Sequence, residues 1–108
     1  MARVLSIATD LMLASRVDTM LTAAGHHVIL ARSVADASLG EAELVVADLD
    51  VADPVELGKL GIPVIAYYSH VDVETRRAAE AAGIDLVVPR SRMARELPDL
   101  AEQLLDSA

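Results

Sequence analysis

Five short apolar runs, at residues 4–8, 28–31, 44–47, 64–67 and 86–88, alternate with segments of helical character. That alternation constrains the fold more than anything else in the chain. Runs so rich in Val and Ile read as strands. Their continuous apolarity points to burial on both faces, as in a parallel sheet. Parallel strands need crossover connections, so strands alternating with helices imply a sheet sandwiched between two helix layers. Right-handed crossovers leave few topologies for five strands, of which the order 2-1-3-4-5 is the commonest.

The helical segments differ in strength. Leu13, Val17, Met20, Leu21 and Ala24 recur at three- and four-residue spacing, with Asp10 or Thr9 to cap the start and Gly25 to end it. Ser33 and Asp36 have capping-box spacing and predict about two helical turns before Gly40. Asp53-Pro54 opens another short helix, limited by Gly58 and Gly61. Asp72 caps a clearer one over 73–82, which Gly83 stops. Residues 91–95 read as a turn, and the last helix starts near Leu97 and Pro98.

The 108 residues suit one domain, 1–108, with no internal repeat or linker. Seventeen acidic against nine basic residues give a net charge of −8, which repels phosphate backbones and anionic lipids. Nucleic acid and membrane surfaces are therefore not expected partners. The absence of cysteine excludes disulfides and thiolate chemistry and fits a cytoplasmic protein. With no Phe or Trp, and Tyr67 and Tyr68 as the only aromatics, the chain has no platform for base stacking. It has no Gly-rich phosphate loop either.

Chemistry in a parallel sheet sits at the carboxyl ends of the strands. Those ends carry Ala8-Thr9-Asp10, Asp48-Leu49-Asp50, Tyr68-Ser69-His70 and Pro89-Arg90-Ser91. Among the five apolar runs, only the third stops directly on a lone acid, Asp48. Leu44-Val45-Val46-Ala47-Asp48-Leu49, Ile62-Pro63-Val64-Ile65-Ala66 and Ala81-Ala82-Gly83-Ile84-Asp85 agree in order and spacing with the third strand, fourth strand and fifth-strand approach of response-regulator receiver domains. The chain resembles that family of two-component signalling over its whole length. The resemblance implies a flavodoxin-like, three-layer sandwich, here with shortened second and third helices.

It also implies phosphoryl transfer from a phosphohistidine or small phosphodonor to an aspartate, with Mg²⁺ bridging that aspartate to an acidic pair. Such chemistry needs hard oxygen ligands to neutralise developing charge. Asp48 keeps the phospho-acceptor position. The acidic pair falls on Ala8 and Thr9, with Asp10 one residue further on. Tyr68 replaces the Ser or Thr of strand four, with Ser69 adjacent, and Arg90 replaces the strand-five Lys. Val87 occupies the aromatic switch position. The resemblance is therefore to a degenerate receiver, or pseudo-receiver, in which Tyr68 fills the crevice and Asp48 pairs with Arg90.

The expected function is a stand-alone signalling module that works by protein–protein contact without Mg²⁺-dependent phosphorylation and is not an enzyme. The alternative is a single-domain response regulator phosphorylated on Asp48. No cofactor is expected; Mg²⁺, on Asp10 and Asp48 with the Asp50 carbonyl, belongs to the alternative alone. Expected partners are a histidine kinase, an output protein, or a second copy. In the last case Arg76, Arg77, Arg90, Arg92 and Arg95 would match Glu80, Glu96, Asp99 and Glu102 across a twofold axis. His26 and His27 lie away from the crevice, and Ser69-His70-Val71-Asp72 reads as a loop plus a helix cap rather than a nucleophile.

Overall fold

All five residues of the strand that ends on Asp48 are buried, because other strands flank it and helices cover both its faces. In this computed structural model, which describes residues 2–69 and 73–106, the elements run β1 (Arg3–Ile7), α1 (Leu11–Ala23), β2 (His27–Ala31), β3 (Leu44–Asp48), α2 (Pro54–Gly58), β4 (Val64–Tyr68), α3 (Val73–Ala81), β5 (Leu86–Pro89) and α4 (Arg90–Asp106). The strands form one parallel sheet in the order β2-β1-β3-β4-β5, as the alternation predicted. Four of the expected strands extend by one residue at one end, and the first slides back by one.

Successive side chains of a strand leave opposite faces of the sheet, and two cores result. On one face Val4, Val46, Ile65, Tyr67 and Val88 pack with Leu13, Val17 and Leu21 of α1 and Met93, Leu97 and Leu100 of α4. On the other, Leu5, Ile7, Val45, Ala47, Val64 and Ala66 pack with Leu57 of α2 and Ala79 of α3. That second layer is thin because α2 has five residues and α3 nine. Gly58 lets the two approach closely, since a Cβ there would collide with the Ala82 carbonyl oxygen.

Two helical expectations are corrected. Residues 33–43 hold turns and no helix. The Ser33 hydroxyl does accept the Asp36 amide at 3.1 Å, but one capping bond does not offset the cost of nucleating a helix. Asp36 and Ser38 then favour local turn bonding, and Gly40 takes φ +47°. The last helix, conversely, starts at Arg90 with no intervening turn and carries Pro98 inside it. An interior proline cannot donate to the carbonyl four residues back. That acceptor, the Ala94 oxygen, takes a hydrogen bond from Arg16 of α1 at 3.2 Å instead. Pro89 is tolerated in β5 because that strand is an edge. The expected Asp72 cap, with His70 and Val71, lies outside the described residues.

Candidate functional site

The crevice forms where β1, β3 and β4 end and α4 begins. Ala8, just past β1, is buried, and its amide donates to the Ala31 carbonyl at 3.0 Å. Thr9 and Asp10 follow as exposed residues. Asp10 is the N-cap of α1: its Oδ1 accepts the amides of Met12 at 2.9 Å and Leu13 at 3.3 Å. It serves the free N–H groups that open every helix. Asp10→Ala is expected to cost about 0.5–2 kcal/mol of stability. Chemical denaturation in metal-free buffer checks this, since a residue kept only for metal binding would cost nothing there.

Asp48 is 4% exposed, an unusual position for a carboxylate. Its Oδ1 accepts the Asp50 amide at 2.9 Å. Its carbonyl receives the Val51 and Ala52 amides at 3.1 and 3.0 Å, so the chain folds back over the strand tip. Burial pushes the Asp48 carboxyl above its usual range, and the negative charges of Asp50 and Asp10 add to the push. The Asp50 amide and, less strongly, the Arg90 charge oppose it. Asp50 is itself engaged, its Oδ2 accepting the Ser69 hydroxyl at 3.0 Å. Asp53 caps α2 by accepting the Glu56 amide at 3.3 Å.

Two expectations about this crevice change. Arg90 stands exposed at the start of α4, and the ion pairs among the described residues include neither it nor Asp48. Tyr68 is half-buried and packs against the α2/α3 core. The residue beside Asp48 is Tyr67. The two are register partners on adjacent strands, so their side chains leave the same face of the sheet. Tyr67 is fully buried, and its hydroxyl has no hydrogen-bond partner among the described residues. Burial, then the Asp48 and Asp10 charges, push its phenol far up, so it remains a protonated donor. A strand buried on both faces gives no alternation to show which of two adjacent tyrosines turns toward the acid.

Among the described residues no three carboxylates or histidines are placed to share one metal ion. His26 sits at the other end of the sheet, where its Nδ1 accepts the Ala2 amide at 3.1 Å. The charges expected to match across a twofold axis are partly engaged within α3 and α4, Arg76 with Glu80 and both Arg92 and Arg95 with Glu96.

No family model and no curated protein matches the chain. Solved structures do. It superposes on NtrX from Brucella abortus with a TM-score of 0.84 at 21% identity, covering 98% of this chain and 28% of that one. The chain thus spans under a third of that relative's length. A CheY-like receiver domain protein from Methanospirillum hungatei JF-1 gives 0.85 at 18% identity, covering 99% of this chain and 95% of that one. The receiver domain of the Francisella response regulator 1452 gives 0.85 at 18%, covering 99% and 98%. The fold is that of response-regulator receiver domains. Among the described residues no helix is long and apolar enough to cross a membrane.

Proposed function

We propose that this receiver-like domain is a cytoplasmic signalling module that acts by protein–protein contact and not by Mg²⁺-dependent phosphorylation of Asp48. The observation that carries the reading is how the crevice carboxylates are used. Asp10 closes the N-terminus of α1, one Asp48 oxygen holds the Asp50 amide, and Asp50 holds Ser69. The two positions that resemble the family's metal-binding pair are Ala8 and Thr9. Mg²⁺ requires several oxygen ligands in near-octahedral geometry, and this donor set does not fit it. The partner is another signalling protein, a histidine kinase or an output protein. Phosphorylation on Asp48, the alternative, would require Asp10 to give up its cap.

The test is intact mass measurement after incubation with a small acyl-phosphate donor and Mg²⁺. The mass is expected to stay unchanged. A phosphoryl adduct that disappears in Asp48→Asn would overturn the proposal.

A further inference from the structure

The outer strand β2 lacks the devices that normally blunt a sheet edge. Edge strands are usually protected by charges, prolines, bulges or a covering helix. His27–Ala31 contains no Lys, Arg, Asp, Glu or Pro, and the segment that follows it forms turns rather than a helix. Ile29 on one face and Leu30 on the other are 49% and 50% exposed. Beside Leu30, between β2 and α1, lies a cavity of about 260 Å³ lined by Ser6, Leu11, Ala14, Asp18 and Val28 among others. Ser6, the register partner of Leu30, is buried in the sheet, and its hydroxyl has no partner among the described residues.

We propose that a second copy of the chain pairs antiparallel with β2, joining two five-stranded sheets into one. A twofold axis through Ile29 sets Val28 against Leu30 of the other copy and His27 against its Ala31. Each strand then meets an uncharged strand, and the contact is isologous, as a C2 interface requires. Charge complementarity favours this occupant. Arg32 follows directly after the last residue of β2; it is exposed and makes none of the ion pairs among the described residues. Antiparallel pairing carries it to the His27 end of the other copy's β2. There α1 presents Asp18, which borders the same cavity and is exposed. Symmetry makes this contact twice. The surface is separate from the Asp48 crevice and does not depend on how Asp48 behaves.

Sedimentation velocity of the full chain at physiological salt tests the proposal. The expected result is a concentration-dependent dimer, converted to monomer by Leu30→Lys with circular dichroism unchanged. Should Leu30→Lys fail to fold, Ile29→Lys, on the opposite face of the same edge, takes its place. Arg32→Asp is expected to weaken the dimer about tenfold or more, and adding Asp18→Arg to restore it. A chain that stays monomeric at high concentration, as it would if this edge serves another protein's strand, overturns the proposal. So does a dimer that neither an edge lysine nor the charge reversal disturbs.

Discussion

Tyr67→Ala is expected to remove about 3–5 kcal/mol, the usual cost of deleting a buried aromatic ring, while Tyr67→Phe is expected to stabilise the domain. The chain has no Phe or Trp, so the ring of Tyr67 is the largest fully buried side chain in the core. It packs with Leu13, Val17, Val46, Val88 and Met93 between the sheet and the α1/α4 layer. A domain of this kind is stable by only about 5–15 kcal/mol, so the alanine variant should be close to unfolding. The phenylalanine variant isolates the hydroxyl. A buried polar group without a partner costs about 1–3 kcal/mol, and Phe removes it while keeping the ring. Urea denaturation of both variants gives the two signs. A loss of stability in Tyr67→Phe would mean that the hydroxyl has a partner.

Asp48→Asn is expected to raise the thermal midpoint at neutral pH by several degrees, since about 1 kcal/mol corresponds to roughly 4–8 °C in a domain of this size. The asparagine oxygen can still accept the Asp50 amide, and the buried charge is gone. Burial raises the folded-state pKa of Asp48 above its usual 3.8. A carboxyl shifted in that direction binds more protons folded than unfolded. Its favourable contribution is complete below the unfolded value and is lost as pH rises through the folded one. The two proteins should therefore differ little in acid below pH 3.8. The gap should open above it and level off once Asp48 is fully ionised. Thermal unfolding across that range checks the sign. A variant less stable than the parent at neutral pH would show that the charge itself is held favourably.

The parts of the fold legible from residues alone are those set by local chemistry. Val- and Ile-rich runs between helical segments give five parallel strands, and Asp10, Asp53 and Gly83 sit where a cap or stop is needed whatever else surrounds them. The failures are tertiary. Pro98 reads as the start of a helix because a proline inside one leaves a carbonyl unpaired. Arg16, 78 residues away from Ala94, takes that carbonyl, and nothing local announces it. Ser33 supplies a cap, but the residues after it do not carry the helix forward. In the crevice, Asp48 was visible as the acid at a strand tip. Its neighbours were not, because the distance from Arg90 and the choice between Tyr67 and Tyr68 depend on how strands and helices pack.

On the proposed reading, the crevice around Asp48 does not gather the oxygen ligands a divalent ion needs. Amide NMR during titration with Mg²⁺, followed by beryllofluoride, checks this. The resonances of Asp10, Asp48 and Asp50 are expected to stay in place up to millimolar Mg²⁺ and not to respond to beryllofluoride. Saturable shifts at those residues, absent from Asp48→Asn, would contradict it.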